Sequence, residues 1–266
     1  MEKKRPALIL CIIASIFIII LLKGVGAVVP FGANYTEINS TTAPADQPQG
    51  IPAQAGNVTE LNIFGYTTTQ SWQGYFGNVS GTIQLADAQD RVMYNWSLAN
   101  PKGEIYASTN GSGIEWTNVQ CFNFTATGTY QNEEGNGGTT NLYGTNLSIL
   151  ESMFNIDASD VDGVDETFTL IGLGTHDKFY TANLEFGEGE CPNTRIFSNA
   201  GTGEDDKFEE VLLYEPVSKS IIFASLLNQN VLGFDNRHHD FEMLVLEDGH
   251  GTDTSVTTYY FYVELQ

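Results

Sequence analysis

Residues 154–166, FNIDASDVDGVDE, crowd four aspartates and a glutamate around one glycine. Hard cations take several carboxylate oxygens from one tight loop, and a glycine permits the sharp turn such a loop needs. Setting Gly163 at position six of an EF-hand register puts Asp160 and Asp162 at positions three and five, as required. The same register puts Ala158 at position one and Thr169 at position twelve, where acidic ligands belong, so the EF-hand pattern is incomplete. Two readings stay open: a non-helical calcium site built from Asp157, Asp160, Asp162 and Asp165, or a solvated acidic turn.

A second concentration of ligating residues is Gly233–Asp253, GFDNRHHDFEMLVLEDGHGTD. It holds His238, His239 and His250 with Asp235, Asp240, Glu242, Asp248 and Asp253. If Asp240–Leu246 is a strand, its ends lie about 20 Å apart, so His238 and His250 meet only where loops fold back. Zinc is the ion such histidines suit, but no H-E-x-x-H or other ligand spacing is present. The chain has no G-x-S-x-G elbow, phosphate loop or dinucleotide fingerprint, and the expectation is a protein without catalysis. Acids are too abundant for a hydrolytic carboxylate pair to be picked out by sequence. Trp72, Trp96 and Trp116 are candidates for a sugar-stacking face, or are core and rim residues.

These groups sit in an exported chain. Lys3, Lys4 and Arg5 precede an uncharged, mostly apolar run from Pro6 to Leu22 that Lys23 closes. Basic residues stay on the cytoplasmic side, which faces the rest outward. The run exceeds an ordinary signal core and approaches the roughly 17–25 residues of a spanning helix, favouring a single-pass anchor in the cell membrane. Cleavage after Ala27, where small residues stand at the positions a signal peptidase reads, would secrete the protein instead. Cys11 lies inside this run, leaving Cys121 and Cys191 as an even pair in an oxidising context, where a disulfide is expected.

N-x-S/T sequons occur at Asn34, Asn39, Asn57, Asn78, Asn95, Asn110, Asn123 and Asn146, all before residue 150. Glycans there would coat the first half and leave the second bare for packing or binding. Apolar residues at 41% and aromatics at 12% suffice for an ordered core. The formal charge is −22; without Glu2, Lys3, Lys4, Arg5 and Lys23, 32 acids face 7 bases, or −25. Such a surface repels nucleic acid and attracts divalent cations. Expected partners are the membrane, through the leader, and other envelope proteins or surface polysaccharide.

The elements that must position these residues read as all-β. Asn34–Gly56 has no apolar period and several Pro and Thr, and reads as a solvated stalk. Beyond it, candidate strands are Thr59–Phe64, Val79–Leu85, Arg91–Leu98, Glu104–Thr109, Thr167–Ile171, Phe179–Phe186, Phe208–Tyr214, Ile221–Leu227, Asp240–Leu246 and Thr258–Leu265. Their spacing predicts an antiparallel β-sandwich, Ig-like or jelly-roll-like, over residues 57–266. Turns are expected at Leu85-ADAQD-Arg91, at Ala99-NPKG-Glu104 and around Pro216–Lys219. In the last strand Tyr259, Phe261, Val263 and Leu265 share one face, and Tyr260, Tyr262 and Glu264 form an aromatic outer one. One short helix is predicted over Asn146–Asn155, where Leu147, Leu150 and Phe154 align. It follows the Gly-rich NEEGNGGTTN, a candidate seam near 130–150 that the two cysteines straddle.

The segments QSWQGYFGNVSGTIQLADAQDRVMYNWSLANPKGEIYAS, VQCFNF, GECPNT and FDNRHHDFEMLVLEDGHGTDTSVTTYYFYVEL resemble a group of uncharacterised exported archaeal surface proteins. The resemblance spans nearly all of the chain after Gly56 and implies a cell-surface location. It implies no activity and adds no site residue.

Overall fold

The computed structural model describes residues 29–124, 129–130, 142–143, 147–251 and 254–265. The leader with its cleavage position, the whole Gly-rich stretch, Asn146 and Asp253 lie outside these residues. Among the described residues no helix is long and apolar enough to cross a membrane.

In chain order the strands are β1 (Phe31–Gly32), β2 (Trp72–Gly77), β3 (Gly81–Ala86), β4 (Val92–Leu98), β5 (Gly103–Ser108), β6 (Gln120–Cys121), β7 (Thr129–Tyr130), β8 (Leu142–Tyr143) and β9 (Phe179–Thr181). They continue with β10 (Leu184–Phe186), β11 (Asn193–Arg195), β12 (Glu209–Glu215), β13 (Ser220–Leu226), β14 (Val231–Leu232), β15 (His238–His239), β16 (Phe241–Leu246) and β17 (Tyr260–Leu265). Two short helices, α1 (Leu147–Met153) and α2 (Val164–Thr167), lie between β8 and β9. Every strand pair is antiparallel, and the all-β expectation is met.

The central sheet runs β1-β17-β5-β13-β12-β11, with β6 beside β11 along the far edge of β12. Period-2 alternation sends its side chains to two separate cores. Ile105, Ala107, Leu212, Tyr214, Phe223 and Val263 face one core, covered by the β16–β2 pair, α1 and α2. Tyr106, Val211, Leu213, Ile222, Ala224 and Leu226 face the other, covered by the β9–β10 hairpin, Trp116 and the cystine. The outer face expected for the last strand is therefore not a free surface: Tyr262 packs on the second core and Glu264 is buried.

Local chemistry explains the turns. Asp87 accepts from the backbone N–H of Gln89 and Arg91 and pairs with the Arg91 guanidinium, closing β3 onto β4 with Asp90 at positive φ. Glu215 accepts from the N–H of Val217 and Ser218 (both 2.8 Å), closing β12 onto β13. Gly103, after Pro101, has φ +127°, and any Cβ there would run into the Glu264 carbonyl of β17. The predicted helix appears as α1, with Leu150 and Phe154 buried and Leu147 against the same core.

Two predicted strands do not form. Thr167–Ile171 begins inside α2 and contributes only an isolated bridge from Leu170 to Asn193. Thr59–Phe64 is exposed and carries no ladder, because no described strand lies beside it. Phe179–Phe186 splits into β9 and β10 at Ala182, whose φ of 55° turns the chain. Asn34–Gly56 has neither strand nor helix and is exposed throughout. The β1 strand that precedes it is already tied to β17, and Ala33 N–H donates to the Phe261 carbonyl.

Candidate functional site

The aspartate loop folds around its own backbone. Asp160 accepts from Asp157 N–H (2.7 Å), and Asp157 accepts from the N–H and hydroxyl of Ser159. Asp162 accepts from the Thr69 hydroxyl (2.5 Å), and its carbonyl accepts from Trp72 Nε1 (2.6 Å), which pins the loop to β2. Among the described residues, only Asp165 of the four aspartates joins a convergent group, in which Glu151, Asp165 and Glu166 bring carboxylate oxygens within 4.8 Å of one another. Burial pushes the Glu151 carboxyl up, its acceptance from Val164 N–H opposes that, and Asp165 and Glu166 add to it. Counted at one oxygen each, these three carboxylates supply three of the six to eight oxygens that calcium takes, and no other aspartate of the loop joins them. Asp160→Ala is expected to cost ~1 kcal/mol through the lost hydrogen bond to Asp157 N–H. Its melting temperature should fall equally with calcium and with chelator; a loss confined to calcium would make the loop an ion site.

The histidines separate. His239 is buried with Nε2 2.8 Å from Asp235 Oδ1 at the β14–β15 turn, while His238 is exposed. His250 lies against Asp248 (3.3 Å) and 4.0 Å from Asp160. Asp235 also takes the Arg237 side chain and backbone N–H. Burial alone would raise Asp235, but these donors and His239 outweigh it and hold the carboxyl at about 2. Asp240 caps two loops, accepting from Val79 and Asn230 N–H. His176, outside this segment, is buried and accepts from Cys191 N–H at Nε2 (3.1 Å).

The acids that sequence reasoning missed are in the fold itself. Glu104, Glu151, Glu209, Glu210, Glu215, Glu242 and Glu264 are each at most 5% exposed. Among the described residues only Glu209 has a cation nearby, Arg195 at 3.5 Å. Glu104 and Glu264 stand directly opposite each other on β5 and β17, beneath the β9–β10 hairpin. Glu264 accepts from Ala182 N–H (2.9 Å) and from the Tyr106 hydroxyl at 3.5 Å, while Glu104 Oε2 has no partner among the described residues. Burial first and the neighbouring Glu264 second push Glu104 up to about 8. Glu210, on the opposite face, accepts from Leu244 N–H (2.8 Å), and burial carries it well above the usual carboxyl range. Glu242 is pushed up to about 7, mainly by burial. A carboxyl buried without a cation is held neutral. Glu104 and Glu210 therefore keep a proton where ordinary carboxyls have lost it, and what they supply is pH-dependent packing. Their main sequence signal is a glutamate set inside an apolar strand, as in Glu104-Ile105-Tyr106.

Nor do the tryptophans form one face. Trp116 is buried, Trp72 is half-buried against Phe168 and Phe223, and only Trp96 is exposed. Trp96 contacts Tyr94 at 4.9 Å with the rings inclined at 60°. Cys121 and Cys191 are bonded and buried, as expected. Asn34, Asn39, Asn57, Asn78 and Asn95 are exposed, whereas Asn110 and Asn123 are half-buried. The Asn110 amide is engaged in its own turn: it donates to the Ser220 hydroxyl (2.8 Å) and accepts from Ser112 and Gly113 N–H. It lines an open polar depression of about 500 Å³ with Ser218, Lys219 and Tyr260. No family model, curated protein or solved structure matches the chain.

Proposed function

We propose that this chain is an exported surface glycoprotein with a structural or adhesive role in the cell envelope, and that its acids serve the fold rather than a reaction. The observation that carries this reading is the buried Cys121–Cys191 disulfide, a bond that persists in oxidising compartments outside the cytosol. The five exposed sequons and the basic, then apolar leader support the same location. The membrane is met through the leader, as a single-pass anchor or only transiently if cleavage follows Ala27. Envelope proteins or surface polysaccharide are the outward partners, and the charge excludes nucleic acid. The Ig-like or jelly-roll-like form of the sandwich belongs to this proposal, and calcium is not required by it.

Two other readings need features that differ from those described. A carbohydrate-binding module calls for a coplanar aromatic row, and the exposed Trp96–Tyr94 pair is inclined. A hydrolase calls for facing carboxylates in a cleft, and the facing pair Glu104–Glu264 is sealed beneath β9–β10.

Full-length protein made in an exporting, N-glycosylating cell should react with a membrane-impermeant label on intact cells. Glycan removal should increase its gel mobility, and Asn→Gln at positions 34, 39, 57, 78 and 95 should abolish most of that shift. Retention in the cytoplasm with Cys121 and Cys191 as free thiols would overturn the proposal.

A further inference from the structure

Two parts of this chain are strand-like, apolar and without a strand partner among the described residues of their own copy. The first is the β3–β4 hairpin, which pairs with no other described strand. Its register sets Ile83 opposite Trp96 and Leu85 opposite Tyr94. That gathers four large apolar side chains on one face, each 50–59% exposed, while Thr82, Gln84, Asn95 and Ser97 fill the other. A two-stranded ribbon is marginal in water; a third strand and an apolar face give it independent stability.

The second part is the long excursion from Asn34 to Gln70, which leaves the sheet edge after Ala33 and returns at Ser71, the residue before β2. Irregular segments longer than about 12–15 residues are uncommon in folded domains and are usually functional or linkers. Within it, TELNIF (Thr59–Phe64) alternates as a strand does, with Leu61 and Ile63 on one side. No backbone group from Val58 to Gly65 is hydrogen-bonded to another described residue, and Val58, Ile63 and Phe64 are 89–101% exposed.

Charge selects the partner. A second copy of a chain of charge −22 meets like charge over most of its surface. From Asn57 to Leu98 the only charged residues are Glu60, Asp87, Asp90 and Arg91, and the last three lie in the hairpin turn, where Asp87 pairs with Arg91. Thr59–Phe64 and the hairpin strands are thus nearly uncharged surfaces in an acidic chain, on which two copies meet without opposed acids.

We propose that Thr59–Phe64 of one copy adds as a third strand to a free edge of the β3–β4 hairpin of a second copy. Backbone hydrogen bonds hold such an added strand, and the side chains of its inner face set the fit. Leu61 and Ile63 extend the apolar face, and a glycan on Asn95 would project from the opposite face. Donor and acceptor surfaces differ, so the contact is head-to-tail and propagates into an open row of subunits unless its rotation closes a ring. This gives the proposed envelope role its partner, and rests on that role only for where assembly takes place.

The test mixes two full-length variants in a Cys11→Ser background, one carrying Ile63→Cys and the other either Ile83→Cys or Trp96→Cys. The mixture should form a disulfide-linked species of twice the monomer mass, at least ten-fold more abundant than in either variant alone. Ile83→Thr with Trp96→Thr should abolish sedimenting assemblies with little change in the melting temperature, since both side chains are half exposed and a Thr–Thr pair suits a cross-strand position. Monomers throughout, cross-links within one copy, or symmetric hairpin-to-hairpin dimers would each overturn the proposal. Surface labelling of the same cells separates the two ideas: a labelled but monomeric protein removes the assembly and leaves the surface role.

Discussion

Raising the pH from about 4.5 to about 8.5 is expected to lower the melting temperature of this protein by roughly 10 °C or more, the reverse of the slope a protein stabilised by ion pairs shows over that range. Glu104 has an ordinary value of 4.5 and sits at about 8 in the folded chain. Between those two values the folded state keeps a proton that the unfolded state has released, so unfolding releases protons and stability falls as the pH rises. At about 1.4 kcal/mol per unit, this residue alone accounts for a loss on the order of 5 kcal/mol. Glu242 adds a loss between 4.5 and about 7, and Glu210 and Glu264 act in the same direction. Asp235 opposes them. Its contribution is present above its ordinary value of 3.8 and is lost as the pH falls through about 2, which places the optimum near pH 4. Changing Glu104 and Glu264 together to Gln should flatten the profile, since the amides cannot ionise. The measurement is thermal unfolding followed by circular dichroism across this pH range. A melting temperature that is flat, or that rises with pH, would show that water or an unseen cation reaches these carboxylates.

Cys121→Ala with Cys191→Ala is expected to cost about 4 kcal/mol, from a loop closed across a sequence separation of 70. For a domain of this size that corresponds to a fall of roughly 8–16 °C in melting temperature. The bond joins β6 to the residues just before β11, and both of these short strands pair with β12 along its far edge. Strands of two and three residues hold few ladder hydrogen bonds, so the cross-link keeps that edge of the sheet covered. The same loss should follow reduction under denaturing conditions and refolding with the thiols blocked. An unchanged midpoint, with the blocked thiols counted by mass, would mean that packing around Phe179 and Phe186 alone holds the edge.

Much of the local structure was legible in the sequence. Turn formers in ADAQD and EPVSK act over two to four residues, so both hairpins could be anticipated, as could the apolar stripe of α1. The strand in WQGYFG was hidden by its two glycines, and it forms because β16 lies beside it. Thr59–Phe64 has a strand's composition and no strand, for the converse reason. The aspartates of FNIDASDVDGVDE looked like a ligand set because spacing counts carboxylates and not their directions. In the folded chain two of them bind their own loop and one binds Thr69.

The sequence by itself determined the all-β class, the cystine pair, the acidic balance and the alternation along each strand, because these depend on residue type and on neighbours one or two positions away. Only the tertiary structure decided that both faces of the central sheet are covered. That covering turned Glu104, Glu210 and Glu264 from apparent surface charges into buried acids, since the burial of a face depends on which distant segment lies over it, and no local period records that.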